Sequence, residues 1–148
     1  QQFNAAAAYP GDAYVDEIGL DVYDQNWGST PEPVDRWYST VLGTIYNPGS
    51  LAWLADFASA NVGGIPGGRR PNSVVAVAKP MAFPEWAGGG NSTGDDPYFV
   101  QQMYMFMISN NVARASYWNS NSAYTGQLSN NQYPMAGAVY KNLFGAYP

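Results

Sequence analysis

The chain has 148 residues and contains neither cysteine nor histidine. Without cysteine there is no disulfide framework, no thiolate metal site and no thiol nucleophile. Without histidine there is no Ser-His-Asp triad, no HExxH zinc site and no imidazole acid or base. Charge is also scarce, at 11% of residues, against about 25% in an average soluble protein. The 6 basic and 11 acidic side chains leave a net charge of −5. Arg69 and Arg70 form the one adjoining basic pair, so a nucleic-acid groove is not expected. No apolar run reaches the roughly 18 residues of a membrane span. No metal or cofactor is implied.

Aromatic residues are abundant: 12 Tyr, 5 Trp and 6 Phe make up 16% of the chain. This content can bury a core, and the length suits one domain. The start, Gln1-Gln2-Phe3, reads as a processed or excised segment. Few lysines and many Asn, Gly, Ser and Tyr suit an extracellular, secreted protein. A sequon, Asn91-Ser92-Thr93, bears only on a eukaryotic secretory source.

Three apolar runs are each followed by a loop and a helical pattern. Tyr14–Tyr23, introduced by the turn signal Tyr9-Pro10-Gly11-Asp12, alternates Ile18, Leu20 and Val22 with Gly19, Asp21 and Tyr23, which is strand periodicity. After the loop from Asp24 to Pro33, Trp37, Val41 and Ile45 share helical spacing until Asn47-Pro48-Gly49. Ser50 caps a second helix, Leu51 to Ala60, with Leu51, Leu54 and Phe57 or Ala58 inward. Gly63 to Pro71 reads as a surface loop, with Arg69-Arg70 a solvated turn. Val74 to Ala78 is a short strand or a helix end. Lys79 to Trp86 is the second strand, expected to stop near Pro84, which has no N–H for a ladder. Asp96 caps and Pro97 opens a helix to Ser109, with Phe99, Met103, Phe106, Met107 and Asn110 on one stripe. Val112 to Trp118 is the third strand. Pro134 to Phe144 is a last helix, with Met135, Ala138, Val139 and Leu143 as its apolar stripe.

This alternation argues an α/β architecture with a parallel sheet, whose functional rim is at the C-terminal strand ends. Those ends carry Asp21, Tyr23 and Asp24, then Glu85 and Trp86, then Trp118 and Asn119. Indoles stack on the C–H face of a sugar, while carboxylates and amides bind its hydroxyls. Glycoside hydrolysis needs neither metal nor histidine, since a pair of carboxylates suffices.

Tyr9-Pro10-Gly11-Asp12-Ala13-Tyr14-Val15-Asp16-Glu17-Ile18-Gly19-Leu20-Asp21-Val22-Tyr23-Asp24 and, later, Lys79-Pro80-Met81-Ala82-Phe83-Pro84-Glu85-Trp86 resemble glycoside hydrolase family 26. Gly94 to Phe99, Gln102-Met103-Tyr104, Asn111-Val112-Ala113 and Tyr117-Trp118-Asn119 continue the likeness. The family is best known for endo-β-1,4-mannanases, and some relatives act on mixed-linkage β-glucans or xylans. The resemblance implies a (β/α)8 TIM barrel of which residues 1–148 form a C-terminal segment. Its three β/α units are similar to strands six to eight. It places the family's nucleophile at Glu85 and, near it, the tyrosine at Tyr23, whose phenol would hold the carboxylate ionised and oriented. Asp21 would organise the sugar subsite, Trp118 would form its floor, and Trp27 and Trp86 would border subsites. Asp24 would cap the following loop or join the site. The family's acid/base Glu, on the fourth strand, has no counterpart in this sequence. The implied partners are a polysaccharide, mannan or another β-glycan, and either the remainder of the barrel or a second copy, because an open sheet exposes its edges. A complete barrel needs about 250 residues. The competing reading is a non-catalytic carbohydrate-binding or structural partial barrel.

Trp37 and Trp53 are expected to be packing residues. Gly88-Gly89-Gly90 has no P-loop lysine and no dinucleotide-binding spacing. Asp95-Asp96 is expected to be a helix cap rather than a calcium site.

Overall fold

The computed structural model describes residues 5–25, 32–59, 70–74, 77–90 and 93–145. Its strands are β1 (Ile18–Gly19), β2 (Val22–Tyr23), β3 (Met81–Ala87) and β4 (Val112–Tyr117). Its helices are α1 (Pro33–Arg36), which runs on into a π-helical segment Trp37–Leu42, α2 (Leu51–Ala58), α3 (Pro97–Ser109) and α4 (Pro134–Phe144). All strand pairings are parallel, as the alternation of patterns predicts. β1 and β2 follow one edge of β3, and β4 follows the other. Among the described residues no further strand pairs with either outer edge.

The first strand is interrupted. Ile18 and Gly19 pair with Met81 and Ala82, and Val22 and Tyr23 pair with Trp86 and Ala87. Tyr14, expected to open the strand, lies instead in a 3-10 turn, Asp12–Tyr14, and is 81% exposed. No strand forms among the described residues of 74–78, where Val74 is exposed.

Pro84 does not end β3, which continues to Ala87. The proline is accommodated by a bulge. Between Ala82 and Trp86, β3 carries an extra residue relative to the β1–β2 edge, and the pairing with β4 shifts between Phe83 and Trp86. One added residue inverts the alternation beyond it. Phe83 is buried, Pro84 is exposed, Glu85 is half-buried and Trp86 is buried. The bulge thus keeps Glu85 off the helix-covered face and turns Trp86 into it.

The core lies between that face and the helices. Ile18, Val22, Met81, Phe83 and Trp86 from the strands meet Leu51, Leu54 and Phe57 of α2, Phe99, Val100, Met103 and Phe106 of α3, and Ala136 and Tyr140 of α4. Trp37 and Val41 are buried as their spacing predicts. Trp53 stacks on Phe57 at 5.0 Å.

Helix ends follow the capping chemistry in the sequence. Ser50 Oγ accepts from Trp53 N at 3.2 Å, and Asp96 Oδ1 accepts from Phe99 N at 3.0 Å. Asp95 caps α4 across the fold, accepting from Met135 N at 2.8 Å and Ala136 N at 2.7 Å. The adjacent aspartates therefore anchor the starts of two helices. The face that α4 buries differs from the expected stripe. Ala136, Gly137 and Tyr140 are buried, Val139 of the expected stripe is half-buried against the core, and Met135 is exposed, because small residues let α4 pack closely against its neighbours.

Arg70 is likewise not a solvated turn residue; it is 3% exposed. Its guanidinium grips the Asp12 carboxylate at 2.7 and 2.6 Å and donates to the Phe57, Ala58 and Ser59 carbonyls at the end of α2. This pairing, with Tyr9 and Ser73 also donating to Asp12, holds the Asp12 carboxyl well below the usual carboxylate range. Arg69 and the glycines of 63–68 lie outside the described residues.

Candidate active site

Tyr23 and Glu85 meet at the C-terminal end of the sheet. The Tyr23 hydroxyl donates to Glu85 Oε2. Burial, this donation and the negative charges of Glu85 and Asp21 all raise the Tyr23 pKa, so the phenol stays protonated and remains a donor.

The bulge leaves the Glu85 amide to be satisfied, and Asp21 Oδ1 accepts from it at 3.1 Å. Asp21 lies beyond the β1 pairing, where the strand is interrupted, so its carboxylate reaches across to β3. It supports the Glu85 backbone from the adjacent strand, while Tyr23 holds the Glu85 side chain.

Trp118 follows β4 directly. Its amide donates to the Trp86 carbonyl at 2.9 Å, and its indole N–H donates to the Tyr124 carbonyl at 3.1 Å. The indole is half-buried, with its polar edge satisfied by the backbone.

Trp86 departs from its expected place. Rather than bordering a subsite, it is 1% exposed among Tyr117, Phe99, Tyr140 and Phe144, with ring centroids 4.8 to 6.2 Å away. The inverted alternation at Pro84 is the cause. Trp27 lies outside the described residues.

Asp24 is also buried, beneath the rim. Its carboxylate pairs with Arg36 Nε at 2.6 Å and Nη2 at 3.1 Å, and Arg36 Nη2 also meets Asp96 at 2.5 Å. Burial, with the Asp24 charge beside it, raises Asp96 above the ordinary carboxylate range. The cluster ties the end of β2, the α1 region and the start of α3 together below Tyr23. The sequence does not mark this basic partner, since Arg36 is simply one residue of an expected helix.

A residue that sequence reading overlooked, Tyr124, packs its ring against Tyr23 at a centroid distance of 4.6 Å. The glycine run after β3 makes room for such rings. A Cβ on Gly88 would approach Phe99, one on Gly89 would meet Tyr133 at 2.7 Å, and one on Gly90 would meet Tyr124 at 2.0 Å. The run is a seat for aromatic side chains, in keeping with its lack of phosphate-cradle spacing.

A groove of about 290 Å³, lined in part by Tyr9, Val15, Ile18, Trp53 and Phe57, opens toward the start of β1. Neither Tyr23 nor Glu85 lines it, so it is separate from this constellation.

An anchored carboxylate with a phenol donor at the rim of a parallel sheet, whose next strand leads into a half-buried indole, offers groups that can engage a sugar. The family model for glycosyl hydrolase family 26 matches residues 1–96, and the chain belongs to that family. Tyr23 and Glu85 fall inside the matched stretch, and Trp118 falls beyond it. Endoglucanase H of Acetivibrio thermocellus is 37% identical over 60 residues, covering 38% of this chain and 7% of that protein. The chain thus spans a small part of the curated relative it matches. No solved structure matches it.

Proposed function

We propose that this chain is a C-terminal segment of a secreted glycoside hydrolase that cleaves a β-linked polysaccharide with retention, in the manner of an endo-β-1,4-mannanase. Glu85 is the nucleophile. The contact between the Tyr23 hydroxyl and Glu85 at the strand ends is the observation that carries this reading.

The Glu85 carboxylate attacks the anomeric carbon of the sugar seated on Trp118. An acid elsewhere in the protein protonates the departing glycosidic oxygen. Water then hydrolyses the glycosyl-enzyme ester, with that same acid now acting as base. Such a mechanism requires the two carboxyl groups to lie about 5–5.5 Å apart. The second group is the family's acid/base Glu, at the end of the fourth strand and outside residues 1–148.

The described sheet supports a place in a (β/α)8 barrel. Its strands are parallel, its outer edges have no strand partner among the described residues, and an apolar groove adjoins β1. We assign its β/α units to strands six to eight. The partner is the rest of the barrel, or a second copy where that is not present. The polysaccharide is mannan or another β-glycan, the latter in line with the name of the Acetivibrio relative.

Replacing Glu85 by Ala in the full-length protein tests the reading. Turnover is expected to be abolished, because losing a nucleophile costs many orders of magnitude. Retained activity above about 1% contradicts the role. Glycan binding without hydrolysis, unaffected by Glu85→Gln, favours a binding module instead.

A further inference from the structure

We propose that Tyr124 is a positioning residue that sets the geometry of the Tyr23–Glu85 pair from behind. The inference rests on the assignment of Glu85 as nucleophile and extends it to a loop far away in sequence.

Tyr124 is buried, with 7% of its surface exposed. Its ring lies against Tyr23 at 4.6 Å between centroids, tilted by 51°. Its hydroxyl donates to the Asp24 carbonyl at 2.6 Å, directly beyond Tyr23 in the chain, and accepts from the Gly90 amide at 2.9 Å, beyond Glu85. Its carbonyl accepts the Trp118 indole N–H at 3.1 Å. One residue therefore joins the ends of β2 and β3 and holds the aromatic side chain that follows β4.

These contacts make different demands on the side chain. The ring limits where the Tyr23 phenol can swing, and through it where the Glu85 carboxylate rests. The hydroxyl fixes the ring by bridging two backbone groups. The Trp118 bond uses a main-chain atom and persists when the Tyr124 side chain changes. Side-chain substitutions therefore act on Glu85 through Tyr23, and on kcat more than on KM.

Gly90 supplies an independent handle. A Cβ built there would lie 2.0 to 2.5 Å from the Tyr124 ring and hydroxyl, far inside contact distance. Gly90→Ala displaces Tyr124 without altering its chemistry.

The test compares Tyr124→Phe, Tyr124→Ala and Gly90→Ala in the full-length protein, each alone and with Tyr23→Phe. Tyr124→Ala and Gly90→Ala are expected to lower kcat by about 10- to 100-fold, the scale of a misplaced reacting group. KM should change less. Tyr124→Phe keeps the ring against Tyr23 but loses both hydroxyl bonds, and should recover part of the loss. In the Tyr23→Phe background, where the phenol is already gone, Tyr124→Ala should cost less than about 2-fold more, because residues acting through one another are not additive. An equal cost in both backgrounds, or no loss of kcat, overturns the proposal.

A readout that needs no hydrolysis separates this outcome from failure of the nucleophile assignment. The Tyr23 ring-carbon NMR resonance of tyrosine-labelled protein should move toward its solvent-exposed position in Tyr124→Ala and Gly90→Ala, and move less in Tyr124→Phe. An unmoved resonance refutes the bracing even if Glu85→Ala is inactive. A moved resonance in a protein whose Glu85→Ala variant stays active refutes the nucleophile assignment and leaves the brace in place.

Discussion

Removing the Arg36 guanidinium should loosen the rim from below, in a way that depends on pH. The group is 1% exposed and is held by Asp24 at 2.6 and 3.1 Å and by Asp96 at 2.5 Å. Arg36→Met keeps much of the side-chain volume but leaves the carboxylates buried without their cation. Breaking a buried charge pair from one side costs about 3–5 kcal/mol, most of it the penalty of the uncompensated charge. At about 1.4 kcal/mol per decade, that is roughly a 10²- to 4 × 10³-fold loss of protection against local opening. Hydrogen exchange read by mass spectrometry over the end of β2 and the first turns of α3 measures it directly.

The pH dependence follows from Asp96. Burial and the Asp24 charge already raise its folded pKa, and without Arg36 it rises further. A carboxyl raised on folding is penalised only where it ionises. The penalty is therefore absent below the unfolded value near 3.9 and grows as pH rises toward the folded value. The deficit of Arg36→Met should be largest at pH 7 and shrink toward pH 4. Adding Asp24→Asn and Asp96→Asn should restore part of the protection at pH 7. A loss below about 1 kcal/mol at pH 7, or one that does not shrink on acidification, refutes this reading of the cluster.

Trp86→Ala should destabilise the fold by about 3–5 kcal/mol through the cavity left among four aromatic rings, measured by the urea midpoint. A cost below about 1 kcal/mol would return Trp86 to the surface. The Asp12–Arg70 pair gives the opposite pH sign from Asp96. The Asp12 pKa is depressed, chiefly by Arg70, so its stabilisation is complete above about 3.9 and is lost as pH falls through the folded value. Acid unfolding should therefore become less steep in Asp12→Asn below about pH 4, and an unchanged acid limb contradicts the pairing.

The features legible in the sequence are those fixed within one element. Ser50 and Asp96 announce their helices because a cap acts over a single turn. Trp37, Val41, Phe99, Met103 and Phe106 lie inward as helical spacing requires. The parallel order of strands follows from their alternation with helices. Tyr23 and Glu85 fall at strand ends in the sequence pattern, which brings them to one rim.

What escaped was set by a bulge or by distant pairing. Strict alternation puts Trp86 on the open face, and the extra residue at Pro84 reverses this. Arg70 reaches Asp12 across 58 positions, and Arg36 reaches Asp96 across 60, so no local pattern marks either as buried. Tyr124 lies 100 residues from the Asp24 carbonyl it bonds. A trace of it in the sequence is Gly90, 34 positions away, whose missing side chain makes room for the ring. The expected α4 stripe of Met135, Ala138, Val139 and Leu143 is rotated from the buried face of Ala136, Gly137 and Tyr140, because the docking of α4 on its neighbours sets the face.

The most direct measurement of the central claim is covalent trapping. The full-length protein is incubated with a 2-deoxy-2-fluoro β-glycoside bearing an activated leaving group, then digested and sequenced by mass spectrometry. A glycosyl group esterified to Glu85 is the expected result. Attachment to any other carboxylate, or unimpaired turnover with Glu85 unlabelled, would contradict it.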